Sequence, residues 1–243
     1  MKSLKDIPYA LEYGKSGLLD LHVPAGTINR PIVIVIHGGA LREFSKERME
    51  GIANWITEQG WVAVNINYRL LPDHPYPASL EDSLAACRWV RAGNHEELQQ
   101  HDLGRVALLG ASAGGFLALV AGFILGLQHV RAIVSISGPT QPGWYGKDAT
   151  RERHAPRLFC APTELVGPDA PPILAVHSRN DKLVAPEESA AIVERMQSAG
   201  RSARLYLFDG PGEQHGIWRN TQEPLYLFPH IEDAIADFLR ETL

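Results

Sequence analysis

A serine flanked by glycines is the residue whose surroundings point most directly to chemistry. The chain reads Gly110-Ala111-Ser112-Ala113-Gly114, a G-x-S-x-G pattern, between one apolar run and another. When this pattern lies between a strand and a helix, it forms a nucleophile elbow, which is a strained turn that exposes the serine hydroxyl. Glycines at positions 110 and 114 would avoid clashes between side chains and the neighbouring backbone in such a turn. A glycine-rich helix start or a phosphate-binding turn would show the same pattern. Ser112 is therefore a candidate nucleophile that needs partners.

A nucleophilic serine needs a base, and the base needs an orienting acid. In chains with this elbow the acid follows the serine and the histidine comes last. Asp181 lies in the loop after the apolar run Ile173–Val176, and His215 lies in a glycine-rich loop after Ala203–Phe208. Because the carboxyl ends of parallel strands meet at one edge of a sheet, the sequence predicts a triad of Ser112, Asp181 and His215.

Two other residues compete for these roles. His177 stands at the end of a strand, four positions before Asp181, and is expected to shape the acid loop instead of acting as the base. Asp209 also ends a strand, but it lies only six positions before His215 in the same loop. Asp181 fits the expected order of residues better.

The anionic intermediate of acyl transfer needs hydrogen-bond donors. A buried apolar run ends in His37-Gly38-Gly39-Ala40, an H-G-G-x element whose glycines let the backbone approach a substrate closely. We expect the N–H groups of Gly39 and Ala40, together with that of Ala113 beside the serine, to form an oxyanion hole. His37 is expected to hold this loop through its ring nitrogens.

Apolar runs and helical periodicity indicate the elements that must position these residues. Runs rich in β-branched residues predict eight strands, at Ile7–Tyr13, Leu18–Val23, Ile32–Ile36, Trp61–Asn67, Val106–Leu109, Val130–Ile136, Ile173–Val176 and Ala203–Phe208. Most of these runs are apolar throughout, which is typical of parallel strands buried on both faces of a sheet. Helical spacing predicts helices at Ser45–Gln59, Ser79–Arg91, Ala113–Leu125, Glu187–Ser198 and Leu225–Leu239. This alternation predicts an α/β fold, a mostly parallel eight-stranded sheet with helices on both faces and an antiparallel edge.

A proline-rich irregular stretch, residues 138–172, interrupts the alternation. Stretches of this length inside a compact domain are usually functional, so we predict a pocket wall or lid within a single domain of residues 1–243. Six apolar side chains could line the substrate pocket or equally belong to the core: Leu41, Phe44, Phe116, Trp144, Tyr145 and Trp218.

Composition limits the class of protein and its partners. The 243 residues are 45% hydrophobic and 21% charged, which excludes a disordered chain. A net charge of −5 indicates no basic face for nucleic acid. The apolar runs are too short to span a bilayer and no signal-peptide pattern begins the chain, so a soluble cytoplasmic protein is expected. An exposed edge strand could pair two copies, which leaves a homo-oligomer open.

Metal and cofactor chemistry lack their sequence signatures. The chain contains no H-E-x-x-H motif, no close Cys/His set and neither of the glycine-rich nucleotide motifs. Cys87 falls on the apolar face of a predicted helix and is expected to pack there, whereas Cys160 lies in the proline-rich stretch without an assigned role. We therefore predict no cofactor and no metal.

A longer motif carries a family resemblance. Residues Tyr68–Asp82 follow the pattern Y-R-L-x-P-x-H-x-[FY]-P-A-x-x-x-D. With Val35–Gly39 and the elbow, this segment resembles the hormone-sensitive-lipase-like carboxylesterases of the α/β-hydrolase superfamily. The resemblance implies the α/β-hydrolase fold and the triad Ser112, Asp181 and His215.

Three departures from that group weaken any transfer of substrate preference. Ala40 stands where the group usually has a third glycine. The acid loop His177–Val184 is more similar to those of prolyl-oligopeptidase-type, feruloyl-esterase-like and kynurenine-formamidase-like hydrolases. Few residues precede the first predicted strand, so we expect a minimal cap or none.

These features predict a serine hydrolase that acts on a small-molecule carboxylic ester with a small or medium acyl group, through an acyl-enzyme. The preference for esters over amides rests on the resemblance. The same triad would serve an arylformamidase or other amide hydrolase, a thioesterase or an acyltransferase. A non-catalytic ligand-binding protein on the hydrolase scaffold is the alternative from another class, although such proteins typically lack the base or the nucleophile.

Overall fold

One eight-stranded sheet organises the chain. The computed structural model describes residues 1–140, 161–212 and 215–243. The strands are β1 Lys2–Pro8, β2 Leu18–Val23, β3 Ile32–Ile36, β4 Val62–Ile66, β5 Val106–Ala111, β6 Ala132–Ile136, β7 Ile173–Ser178 and β8 Ala203–Phe208. Their order is β1-β2-β4-β3-β5-β6-β7-β8, with β2 antiparallel to both neighbours and all other pairs parallel. The predicted mostly parallel sheet with an antiparallel edge is confirmed.

Helices cover both faces of this sheet. They are α1 Glu50–Glu58, α2 Ala78–Arg91, α3 Ala113–Leu125, α4 Pro162–Leu165, α5 Glu187–Ser198 and α6 Pro229–Thr242. Successive side chains of a strand point to opposite faces. In β3, Ile34 therefore packs in the core beneath α2, α3 and α5, whereas Val33 and Val35 pack beneath α1 and α6. Burial on both faces explains why such strands are apolar throughout.

The predicted first strand, Ile7–Tyr13, is wrong in its placement. The chain forms β1 earlier, at Lys2–Pro8, and then a 3-10 helical segment at Leu11–Gly17. Tyr9 accounts for the misleading apolar signal, because its ring is buried while its hydroxyl donates to the carbonyl oxygen of Asn67 at 2.8 Å. Its burial is therefore a tertiary contact outside the sheet.

Two predicted helices begin too early. Within Ser45–Gln59, a 3-10 turn at Lys46–Met49 precedes α1. The last helix begins at Pro229, not at residue 225, because Leu227 forms an isolated β-bridge with Trp218. Proline at the first helical position has no N–H to leave unpaired, so it suits this later start.

The irregular stretch at residues 138–172 is only partly described. Its described end contains the helical turn Pro162–Leu165, which the sequence did not predict. Residues 141–160, including Trp144, Tyr145 and Cys160, lie outside the described residues. The single-domain organisation and the pocket-wall role of this stretch stay predictions.

Three further expectations from the sequence concern Cys87, metal binding and membrane spans. Cys87 is buried in α2, where burial raises the pKa of its thiol to about 12, so its predicted packing role is confirmed. No group of three metal-binding side chains occurs within residues 1–140, 161–212 and 215–243. No helix in this part of the chain is long and apolar enough to cross a bilayer.

Candidate active site

Ser112 occupies a tight turn between β5 and α3. Its φ of 55° lies in a region that non-glycine residues rarely adopt, and its N–H donates to the carbonyl oxygen of Ile136 at 2.7 Å. A Cβ on Gly110 would overlap the backbone of Gly114, and a Cβ on Gly114 would overlap the carbonyl groups of Ile36 and His37. Both glycines are therefore required for the close approach that holds the serine in this strained conformation.

Ser112, His215 and Asp181 form a continuous hydrogen-bonded chain. The Nε2 atom of His215 lies 3.0 Å from the Ser112 Oγ, and its Nδ1 atom lies 2.8 Å from the Asp181 Oδ2. The Asp181 side chain is fully buried, and its Oδ1 accepts the N–H groups of Leu183 at 2.8 Å and Val184 at 3.0 Å. The structure thus brings together the three side chains that the sequence singled out.

Electrostatics around Asp181 favour the charged carboxylate. Burial raises the pKa of Asp181, but hydrogen bonds from His177 and His215 and from the backbone N–H of Val184 outweigh it and hold the pKa well below its usual range. An ionised carboxylate can only accept hydrogen bonds, so the Nδ1 of His215 must carry a proton. In the neutral ring the Nε2 atom then has a free lone pair directed at Ser112.

Neither of the two competing residues, His177 and Asp209, takes the place of His215 or Asp181 in this hydrogen-bonded chain. His177 is fully buried and has its Nε2 atom 3.1 Å from the Asp181 Oδ2 and 3.0 Å from the Val184 carbonyl oxygen, as expected of a residue that shapes the acid loop. The Asp209 side chain is 77% exposed and faces Arg179 at 3.4 Å. Neither competitor is within hydrogen-bond distance of the Ser112 hydroxyl in the described part of the chain.

The loop after β3 lies against the elbow. A Cβ on Gly38 would come within 2.8 Å of the Ala111 carbonyl oxygen, and Gly39 and Ala40 have φ of 102° and 51°. The N–H groups of Gly39 and Ala40 donate to no other described residue, whereas the Gly39 carbonyl accepts the N–H of Arg42 at 2.8 Å. The N–H of Ala113, at the first position of α3, has no partner within its own helix. Among the described residues these N–H groups have no acceptor, and their role as an oxyanion hole stays a prediction.

Sequence reasoning missed how this loop is held. The Tyr68 ring stacks on His37 with centroids 4.2 Å apart, and its hydroxyl lies 2.9 Å from the His37 carbonyl oxygen and 3.1 Å from that of Gly38. Burial raises the pKa of Tyr68 far above its usual value, so the hydroxyl remains a donor. His37 holds the loop through its Nδ1, which lies 2.8 Å from the Gly38 carbonyl oxygen.

The far end of the same loop is held by a buried lysine. The Nζ atom of Lys46 lies 2.8 Å from the Asp20 Oδ1, and both side chains are almost fully buried. The backbone N–H of Lys46 donates to the Asn67 Oδ1 at 2.7 Å, and its carbonyl accepts from Asn65 at 2.6 Å. No sequence signal points to this pair, because lysine is usually exposed and the burial of Lys46 shows only in the folded chain.

The four predicted pocket residues that the structure describes, Leu41, Phe44, Phe116 and Trp218, do not all pack in the same place. Leu41 and Phe116 are buried in the core beneath α2, α3 and α5, and Phe116 lies 5.9 Å from the Tyr76 ring. Trp218 packs against the opposite core, while Phe44 is 42% exposed beneath the Arg48 guanidinium at 3.8 Å. Their role in binding substrate stays a prediction.

The sequence predicts the Gly39 N–H as an oxyanion donor, so displacing it in Gly39→Ala is expected to lower kcat by about 10²–10³. A Cβ here would overlap the Glu43 carbonyl and the Phe44 ring, and the φ of 102° disfavours any side chain. Steady-state ester hydrolysis measures the effect. Gly26→Ala is the matched control, because Gly26 also has a positive φ but open space around it. Equal activities of the two variants would contradict the role of this loop.

Mild acid is expected to destabilise the protein through His37. Burial lowers the pKa of His37 to about 4, although its bond to the Gly38 carbonyl opposes the shift. The unfolded chain, with a histidine pKa near 6.5, then binds a proton that the folded chain does not, so stability falls as the pH drops from about 6.5 to 4. Burial also lowers the pKa of His22 and His101, which adds to this trend.

Thermal unfolding at pH 7 and pH 4.5 measures the effect, and we expect Tm to fall by on the order of 5 °C. The His37→Asn substitution keeps a donor for the Gly38 carbonyl and should reduce this fall. The same substitution at exposed His74 is the control and should leave the fall unchanged. An equal fall in both variants would show that His37 does not contribute.

The architecture and the elbow define the α/β-hydrolase fold, and solved structures share it. A truncated carbohydrate esterase from gut microbiota superposes with a TM-score of 0.82 at 22% identity, covering 100% of this chain and 96% of that one. Esterase 2 of Thermogutta terrifontis, phosphonylated by sarin, gives 0.80 at 21% identity over 92% of this chain and 89% of its own. At these identities the likeness shows the fold alone.

The chain belongs to the BD-FAE family, whose model matches residues 19–141. Among curated proteins, it is 29% identical to esterase LipC of Mycobacterium tuberculosis (strain ATCC 25618 / H37Rv) over 77% of this chain and 53% of LipC. It is 36% identical to carboxylesterase NlhH of the same strain over 44% of this chain and 35% of NlhH. The resemblance to carboxylesterases is thus confirmed, although the chain spans about half the length of the curated relatives it matches.

Proposed function

We propose that this chain is a serine hydrolase that cleaves carboxylic esters. The observation that carries the proposal is the hydrogen-bonded chain from the Ser112 Oγ through His215 to a fully buried Asp181, with distances of 3.0 and 2.8 Å. The naming of its relatives as esterases and carboxylesterases supports the same reaction. A binding protein would have no need of the base, the acid and a strained serine together.

The first half of the reaction forms an acyl-enzyme. The Ser112 Oγ attacks the ester carbonyl carbon while its proton passes to the Nε2 of His215, and the N–H groups of Gly39, Ala40 and Ala113 stabilise the resulting oxyanion. The positive end of α3 adds to this stabilisation. The bond between the carbonyl carbon and the alkoxy oxygen then breaks, and the His215 Nε2 gives its proton to the leaving alcohol.

The second half of the reaction returns the enzyme to its starting state. Water attacks the acyl carbon, its proton passes to the His215 Nε2, and collapse of the intermediate releases the acid and returns the proton to the Ser112 Oγ. Asp181 stays ionised throughout. It holds the ring of His215 in one tautomer and stabilises the imidazolium that forms in each half.

We further propose a small or medium acyl group as the substrate's acid part. Leu41 and Phe116, which follow the oxyanion loop and the elbow, are buried in the core, so little apolar surface at these positions is free to bind a long chain. The alcohol or phenol of an ester is a better leaving group than an amine, so esters are favoured over amides. The partner is a small molecule.

A substrate series tests this proposal. The expected result is that kcat/KM for p-nitrophenyl acetate and butyrate exceeds that for the octanoate about tenfold or more, since forcing extra methylenes into a packed site costs about 1–3 kcal/mol. The matched amide, p-nitroacetanilide, should react far more slowly. An aryl formamide and an acyl thioester complete the series. Faster turnover of the amide, formamide or thioester would overturn the ester assignment, and a preference for octanoate would overturn the acyl-size assignment.

A further inference from the structure

His177 contacts the same carboxylate oxygen as His215. It lies near the end of β7, fully buried, with its Nε2 atom 3.1 Å from the Asp181 Oδ2, which is also 2.8 Å from the His215 Nδ1. Its Nδ1 atom lies 2.7 Å from the Ser189 Oγ in the first turn of α5, and Ser189 is only 1% exposed. The hydrogen-bonded chain therefore continues beyond the three residues of the proposed mechanism.

The partners of His177 determine its tautomer. Its Nε2 atom faces two acceptors, the Asp181 carboxylate and the Val184 carbonyl oxygen at 3.0 Å, so this nitrogen must carry a proton. In the neutral ring the Nδ1 atom is then an acceptor, and the Ser189 hydroxyl must donate to it. Ser189 thus orients the ring of His177, as the carboxylate of Asp181 orients that of His215.

Asp181 consequently has four donors, two on each oxygen. The Oδ1 atom accepts the backbone N–H groups of Leu183 and Val184, and the Oδ2 atom accepts the two histidines. Donors on both oxygens prevent rotation of the carboxylate about its own axis. The His177 N–H also shares the negative charge of Oδ2 with His215, so each histidine is held less tightly than it would be alone.

We infer that His177, oriented by Ser189, is a positioning residue that fixes the Asp181 carboxylate and moderates its hold on His215. This inference rests on the proposed function, because its effect on turnover passes through Asp181 and His215. His177 touches no reacting atom itself. It acts by keeping the Oδ2 atom in line with the His215 Nδ1 and by limiting the charge that this oxygen presents.

Three variants test the inference by hydrolysis of p-nitrophenyl acetate from pH 5 to 9. His177→Leu removes the donor, and kcat is expected to fall about 10- to 100-fold with little change in KM, since small misplacements have effects of this size. The acidic limb of kcat/KM should also move to higher pH, because an oxygen with one donor fewer holds the His215 imidazolium more tightly. A purely structural role would not move this limb.

The other two variants separate the donor from the volume of the ring. His177→Gln can place an amide N–H where the Nε2 atom stands, so it should recover most of kcat and return the acidic limb to its original position. Ser189→Ala keeps the ring but removes the group that orients it, and we expect an intermediate loss. Ser198→Ala, at an exposed serine of the same helix, is the matched control and should behave as the wild type.

Each outcome bears on one of the two proposals. A folded His177→Leu variant with unchanged kcat and an unmoved acidic limb would overturn the inference, as would a loss that the Gln variant does not recover. If the Leu variant does not fold, the Gln and Ala variants decide, and wild-type behaviour of Ser189→Ala would overturn the orienting role of Ser189. A wild-type protein that hydrolyses no ester would instead overturn the proposed function, and this inference with it.

Discussion

Replacing Ser112 by Ala is expected to lower kcat by a factor on the order of 10⁵–10⁶ with the fold intact. The serine supplies the oxygen that forms the acyl-enzyme, and no other described hydroxyl is hydrogen-bonded to His215. What remains in the variant is binding and oxyanion stabilisation without a nucleophile. Steady-state hydrolysis of p-nitrophenyl acetate measures the loss.

Ser137→Ala is the control for this substitution. Ser137 is also a buried serine that directly follows a strand of the same sheet, and its φ is likewise positive, at 50°. Its hydroxyl has no hydrogen-bond partner among the described residues. We expect this variant to keep wild-type turnover. A Ser112→Ala variant that retains more than about one hundredth of the wild-type rate would contradict the assignment of Ser112 as nucleophile.

Asp181→Asn is expected to lower kcat about 10⁴-fold, through the tautomer of His215. The Oδ1 position accepts two backbone N–H groups, so the amide oxygen of Asn must occupy it. The amide nitrogen then stands at the Oδ2 position and donates toward His215. To accept from it the ring must lose its Nδ1 proton and carry one on Nε2, where it can no longer take the proton of Ser112.

Turnover with p-nitrophenyl acetate across pH 5–9 measures the effect of Asp181→Asn. Asp209→Asn is the matched control, since Asp209 also follows a strand near His215 but is exposed and paired with Arg179. We expect this control to keep wild-type activity. A tenfold or smaller loss in Asp181→Asn, or a larger loss in Asp209→Asn, would show that the acid has been misassigned.

The sequence predicts the inner elements of the chain better than its first strand and its last helix. The predicted ranges of β3, β8, α3 and α5 are those observed, because apolar periodicity and local turn residues both mark them. The first strand and the last helix are misplaced because Tyr9 and Leu227 are buried by contacts outside the predicted elements, with Asn67 and with Trp218. Local patterns carry no information about such contacts.

The same distinction applies to the candidate site. Residue type and position after a strand were enough to single out Ser112, Asp181 and His215, whose roles remain a proposal. The supports of the site were not predictable, because Tyr68 reaches His37 across 31 positions and Ser189 on α5 reaches His177 on β7. No motif or periodicity links these pairs, so their coupling exists only in the folded chain.

Labelling by a fluorophosphonate tests the central claim most directly. The reagent phosphonylates an activated serine and needs no knowledge of the substrate. Intact-mass measurement of the wild-type protein and of Ser112→Ala and Ser137→Ala, followed by peptide mapping, locates the adduct. We predict one adduct per chain on Ser112, present in the wild type and in Ser137→Ala and absent from Ser112→Ala. A folded wild-type protein without an adduct, or an adduct that persists in Ser112→Ala, would contradict the account.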